Sequence, residues 1–298
     1  MIYPGEFAAL GAAWCWSFTS MFFAAAGRRL GAFKVNVIRL TMALPLLAVT
    51  SLVWLDSSIP AWYQGGRIIW LGLSGIVGLV IGDFAFFRSL VLLGPRKSTL
   101  VFSTSPIIAA LLSWPLLGEK LSLTAWLGII LTVMGVVWVV VERSTGGNKA
   151  VKSPRPWGIF LALIAAACQA LGLILSKAGM AGVVNPLAAT LFRLLTATVV
   201  VWIYVLVRGQ SPAVYRAAQQ TPVTWWILGG AVTGPYIGVW LSIVAVKYAE
   251  TGIAATLMGT VPILVLPLVW IVYHERISPR ALIGTIAAVG GIILLFQR

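Results

Sequence analysis

The sequence predicts an all-α integral membrane protein of ten transmembrane helices, arranged as two five-helix halves that lie upside down relative to each other. Three observations carry this expectation: long apolar runs down the whole chain, a match between its first and second halves, and an uneven sharing of basic residues between loops.

Of the 298 residues, 60% are hydrophobic and 9% charged, and the mean hydropathy is +1.00. Such a chain has too little polar surface to meet water as a soluble protein does. Runs of roughly 18 or more apolar residues suit the hydrocarbon core of a bilayer. Gly, Pro and charged residues separate such runs near 5–26, 35–55, 67–91, 98–117 and 123–141, then near 157–177, 186–207, 222–246, 252–272 and 279–296. The first run has no basic segment before it and no convincing small-residue cleavage site after it, so it is expected to be a retained helix. The net charge of +14 invites a nucleic-acid reading, but nearly all the Lys and Arg lie in gaps between apolar runs. The expected partner is therefore a lipid bilayer and not nucleic acid. Cys15 and Cys168 sit inside apolar runs without metal-ligand spacing, as small core residues do.

The second observation is internal repetition. At an offset of 156, Trp70 meets Trp226, Gly78 meets Gly234, Gly82 meets Gly238, Pro106 meets Pro262 and Glu119 meets Glu275. The same offset pairs Ser122 with Ser278, Gly128 with Gly284 and Gly135 with Gly291, while an offset of 154 lays Arg39 on Arg193. The expected units are thus residues 1–142 and 157–298, joined by a basic linker at 143–156. Because five is odd, the second copy must enter the membrane in the opposite orientation to the first.

Loop charges agree with this. The loops after odd-numbered spans hold Arg28, Arg29, Lys34, Arg96, Lys97, Arg143, Lys149, Lys152, Arg155, Arg208, Arg216, Arg276 and Arg280; the other side holds Arg67, Lys120, Lys177, Lys247 and Arg298. The positive-inside rule then makes the odd loops cytoplasmic and puts both termini on the outer side of a cell (inner) membrane.

The segments Asn36-Val-Ile-Arg39-Leu, Gly82-Asp83-Phe-Ala-Phe-Phe-Arg88, Gly94-Pro95-Arg96-Lys97, Ser105-Pro106-Ile and Leu117-Gly118-Glu119-Lys120-Leu-Ser122 resemble the first EamA repeat of the drug/metabolite transporter superfamily. Gly234-Pro235-Tyr-Ile-Gly-Val-Trp240, Ala254-Ala255-Thr256-Leu257-Met258, Pro262 and His274-Glu275-Arg276-Ile-Ser278 are similar to the second. The resemblance implies a central substrate cavity between the halves, alternating access, and a substrate among metabolites, amino acids or sugar nucleotides. Small multidrug-resistance members of that superfamily carry a Glu in the first helix for proton coupling. The corresponding regions here read Ala-Ala-Trp14-Cys-Trp16-Ser17 and Ala-Ala-Cys168-Gln169-Ala, so the resemblance does not extend to that mode of efflux. Many ten-helix relatives are also held to have cytoplasmic termini, where the loop charges here argue for outer ones.

An inverted-repeat transporter is expected to bind substrate near the midplane, often where a helix is broken. Pro106 and Pro262 lie mid-span, where each removes a backbone donor. Ser103 and Thr104 before the one, and Gly259 and Thr260 before the other, either patch the kink or face a polar ligand. Charges inside spans need partners or water, which singles out Arg39, Asp83, Arg88 and Arg193. Asp83 can reach Arg39 or Arg88. Val239 stands where the second half would place the equivalent acid, so Arg193 needs another, with Glu250 the candidate. These groups either hold helices together or bind and gate a substrate anion. Trp16, Tyr236 and Trp240, with Asn36 and Gln169, complete the expected substrate-binding or gating set. Trp14 also lies within a span, whereas Trp54, Trp62, Trp70, Trp114, Trp126, Trp138, Trp157 and Trp202 fall mostly nearer span ends, where interfacial anchors collect. Glu119 and Glu275 are expected to serve tight turns, pairing with Lys120 or Arg276, ahead of the N-caps Ser122 and Ser278. His274, the single histidine, falls in the second of these turns.

No nucleotide-binding motif and no catalytic constellation is evident, and no cofactor is expected. The expected activity is secondary transport, export in direction, of a small polar or amphipathic metabolite such as an amino acid; flipping of a lipid-linked headgroup is the alternative, and a membrane-embedded enzyme is disfavoured. The glycine pairs suit close helix packing, within one chain or in a homodimer.

Overall fold

The computed structural model describes residues 3–55, 66–93, 95–142, 156–182, 184–273 and 279–297. His274, Glu275, Arg276, Ser278, the linker residues Arg143 to Arg155, and Trp62 lie outside the described residues, as do the side chains of Arg28, Arg96 and Lys97. Every regular element among the described residues is helical.

The chain begins with α1 (Pro4–Leu30) and α2 (Ala32–Trp54). Next, α3 (Arg67–Gly75) runs through a π-helical segment, Ile76–Gly82, into α4 (Asp83–Leu93). Then come α5 (Pro95–Phe102), α6 (Ser105–Leu117) and α7 (Leu123–Glu142). The second half opens with α8 (Pro156–Gly179), α9 (Pro186–Val207) and α10 (Ser211–Ala218). Here α11 (Thr221–Ala231) continues through a second π-helical segment, Val232–Gly238, into α12 (Val239–Tyr248). The chain ends with α13 (Thr251–Met258), α14 (Val261–Tyr273) and α15 (Pro279–Phe296).

Nine helical stretches among the described residues are long and apolar enough to cross a membrane. Their outward faces carry Leu52 at 83% exposure, Val207 at 81% and Ile286 at 64%. Large apolar surfaces of this kind require lipid to cover them. Among the described residues, α10 is the one element the apolar runs do not announce. It is short, and buries Val214 and Ala217 beside α2 and α11.

The two halves interlock. α1 packs on α11, the second π segment and α12, while α8 packs on α3, the first π segment and α4; α2 meets α9. Small side chains allow this approach, since lipid tails give no hydrophobic drive for helices to associate and close backbone contact must supply it. On α1 these are Ala9, Ala12 and Ala13, on α8 Ala162, Ala165 and Ala166, all fully buried. Opposite them stand glycines: Gly82 faces Cys168, and Gly238 faces Trp16.

The glycines of the last helix of each half join α7 to α15 within one chain. A methyl group on Gly135 would lie 2.5 Å from the Gly284 carbonyl oxygen and 2.6 Å from Ala288 N. Backbone atoms cannot step aside as a side-chain end can, so Gly135→Ala is expected to cost about 1–3 kcal/mol. Gly290→Ala, whose nearest neighbour would be Leu131 Cδ2 at 3.8 Å, serves as the control and should leave thermal stability in detergent unchanged.

Candidate functional site

The π segments set the register of the central helices. A π turn adds a residue to the helical circuit and rotates the residues beyond it, and each of these segments ends at a tightly packed glycine, Gly82 or Gly238. The residue after the first is Asp83. The exposed stripe of this helix is Ile81, Phe84, Arg88 and Val91, at helical spacing, and Asp83 lies off it, turned towards α2. Arg88 therefore points away from Asp83, and Arg39 is the partner.

Arg39, on the second turn of α2, is 9% exposed. Its Nε donates to Asn36 Oδ1 at 2.7 Å, and its Nη2 donates to Asp83 Oδ2 in a close ion pair. The guanidinium lies between two rings, 5.2 Å from the Phe23 centroid and 5.4 Å from that of Phe87. Cation–π attraction thus adds to the pair where little water competes.

Arg193 on α9 is 4% exposed. No ion pair of Arg193 with Glu250, the acid expected from the sequence, is found among the described residues; its Nη2 reaches the Ser74 carbonyl at 3.5 Å, and the charge of Asp83 in the other half acts on it from beyond ion-pair distance. Glu250 occupies the N-cap position of α13 at the end of the bundle without a side-chain capping bond.

Around the second π segment, Tyr236 OH meets Thr50 Oγ1 at 2.6 Å and Thr233 Oγ1 meets Thr19 Oγ1 at 2.8 Å. Trp16 packs on Gly238, and Trp240 meets Trp54 edge to face at 5.7 Å. Gln169 is half-buried beside Cys168. Trp14 is 43% exposed, on the side of α1 that also carries Phe7.

Both expected helix breaks are present, α5 to α6 and α13 to α14. Their hydroxyls turn to nearby carbonyls: Ser103 Oγ donates to Thr99 O, Thr104 Oγ1 to Val101 O, and Thr260 Oγ1 to Leu257 O. Pro106 is buried, Pro262 half-buried. Ser103 and Pro106 border a void of about 10 Å³ with Thr132, Thr256 and Gly259, room for about one water. The breaks are thus closely packed, with these three hydroxyls on their own helices, while the buried Ser105 Oγ beside Pro106 has no hydrogen-bond partner.

A third cluster went unforeseen. Gly118, at φ 71°, ends α6 in the left-handed conformation that glycine adopts freely, and this turns Glu119 back onto the other half. Glu119 Oε2 accepts from Thr251 N at 2.7 Å, and Oε1 from Thr251 Oγ1 at 3.0 Å and from Lys177 Nζ at 2.6 Å. Lys177 Nζ also donates to the Ala249 carbonyl at 2.5 Å. Lys120, the partner expected from the sequence, is exposed. Ser122 caps α7 as expected, accepting from Ala125 N at 3.1 Å. Beside the Glu119 cluster is an open depression of about 420 Å³, lined by Glu6, Lys177, Lys247, Tyr248 and Glu250 among others. The charges at positions 119, 177 and 250 were visible signals; their convergence was not.

Apolar helices with ion pairs at depth and at one end define a multi-pass membrane protein. The chain belongs to the EamA-like transporter family, whose pattern matches residues 3–141 and again residues 156–297. It is also 35% identical over 79 residues to YdzE, a permease-like protein of Bacillus subtilis strain 168, an alignment that spans 96% of that protein and 26% of this chain. A crystal structure with 17% sequence identity superposes with a TM-score of 0.80 over 100% of this chain and 98% of that one; at that identity it speaks for the fold alone.

Proposed function

We propose that the chain is a secondary transporter, acting as an exporter, for a small polar or amphipathic metabolite such as an amino acid or related compound. The family supports the class, membrane transport of the drug/metabolite type, over an enzymatic role. The observation that carries the rest is the cluster at membrane depth, where Arg39 and Asp83 pair beside a nearly unpartnered Arg193. Charges are expensive there and persist where they bind substrate, gate its path or pair helices.

In this proposal α1 is the tenth span, residues 1–142 and 157–298 are the two repeats in opposite orientation, and access alternates between them. The reciprocal packing of α1 on α11 and α12, and of α8 on α3 and α4, supports the pairing of halves. The odd loops are cytoplasmic and both termini lie outside an inner membrane; a reporter fused after Arg298 is expected to signal an outer location, and a cytoplasmic signal would reverse the orientation. Substrate flux into proteoliposomes tests the activity. Asp83→Asn should insert normally and abolish flux; full flux in that variant would remove the gating role.

A further inference from the structure

Resting on the transporter reading, we propose that Arg193 is the receptor for an oxyanion of single negative charge, which makes monocarboxylates the first substrate class. The basis is a missing charge. Arg193 Nη2 reaches only the Ser74 carbonyl, at 3.5 Å, and Nε and Nη1 have no hydrogen-bond partner. The nearest acid, Asp83, is already held by Arg39. Two guanidiniums thus share one carboxylate, leaving one positive charge uncompensated in an apolar span, an arrangement that structural pairing does not account for.

The first half meets the same need internally, because Arg39 has both Asn36 and Asp83. The second half has Val239 where its acid would stand. Glycines bring the first half close to this side chain: a methyl group on Gly75 would lie 2.4 Å from the Arg193 carbonyl oxygen, and one on Gly78 3.4 Å from Nη2. A planar fork with free N–H groups matches a carboxylate in shape as well as charge. One negative charge completes the balance. A phosphate dianion overshoots it, and a zwitterion brings an ammonium for which no second acid is at hand. The substrate class accordingly narrows from amino acids to related acids.

The test is thermal stability of the purified full-length protein at constant ionic strength, with formate against formamide, acetate against acetamide and benzoate against benzamide, plus glycine and inorganic phosphate. At least one carboxylate is expected to raise Tm where its amide does not, and to exceed glycine and phosphate. Arg193→Gln should weaken that carboxylate about tenfold or more, and Arg193→Lys should retain part of the effect. Equal shifts for every carboxylate and its amide, a glycine or phosphate effect matching the best carboxylate, or an unchanged preference in Arg193→Gln would each overturn the assignment. The wild-type comparison needs no variant to fold. Flux of a zwitterion that Arg193→Gln leaves untouched would sink this site and spare the transporter; absence of flux for a carboxylate that stabilises the wild type would do the reverse.

Discussion

Asp83→Ala is expected to destabilise the protein by roughly 3 kcal/mol, the low end of the range for breaking a buried ion pair. The low end applies because the Asp83 side chain keeps 24% of its surface exposed, against 11% for Arg39. The loss has two parts. Arg39 loses the acceptor of its Nη2, although Asn36 and the Phe23 and Phe87 rings remain. Arg193, already short of a partner, loses the through-space influence of the same carboxylate, so one substitution raises the cost of two buried cations. A thermal melt in detergent measures the cost. Arg39→Gln alone should cost less, because it removes a cation and leaves Asp83 to Arg193. The double variant should recover about 0.5–3 kcal/mol relative to the sum of the singles, the usual coupling for groups in direct contact. Additive losses would show that the pair is incidental.

Much of the fold was legible because each span is a property of local sequence. Asn185-Pro186 marks the start of α9, with Asn185 Oδ1 accepting from Leu187 N at 2.8 Å, and the expected 186–207 matches Pro186–Val207. Pro106 and Pro262 announced their breaks in the same way. The π segments were not legible. In sequence Gly78, Gly82, Gly234 and Gly238 mark only the match between the halves, and the residues of α8 and α1 that press on them are distant in the chain.

The site was legible in its residues and not in its partners. Arg39 and Asp83 were natural suspects because charge inside a span is rare, but the choice over Arg88 turned on a helical face that the π segment resets. An acid for Arg193 was sought within its own half, and the one whose charge acts on it came from the other, because α9 packs against α3. The Glu119 cluster joins residues 58 and 132 positions apart, through turns whose direction no local pattern encodes. The glycine pairs of α7 and α15 were read correctly as close contacts, while their placement within one chain had to come from the structure.

Glu119→Ala is expected to open the end of the bundle that carries the 420 Å³ depression. Glu119 comes from the turn after α6, Lys177 from the end of α8 and Thr251 from the start of α13, so one carboxylate ties three elements of both halves. It also satisfies a backbone N–H at the α13 N-terminus, which Glu250 does not cap with its side chain, and its charge sits favourably at that positive helix end. Its removal leaves Lys177 with the Ala249 carbonyl alone and a buried donor unmet, at roughly 2–3 kcal/mol. In the proposed alternating cycle this cost falls on the conformer closed at this end, so the population shifts towards the opposite one. The native thiols report it. Cys15 and Cys168 each lie eleven residues inside this end of their helices, counted from Pro4 and from Gly179, or roughly 16 Å. A membrane-impermeant maleimide added to this side should label them faster in Glu119→Ala than in wild type. Glu119→Gln, which keeps an acceptor for Thr251 N but loses the charge towards Lys177, should fall between. Identical labelling rates in all three proteins, with normal insertion, would reduce the cluster to a helix cap.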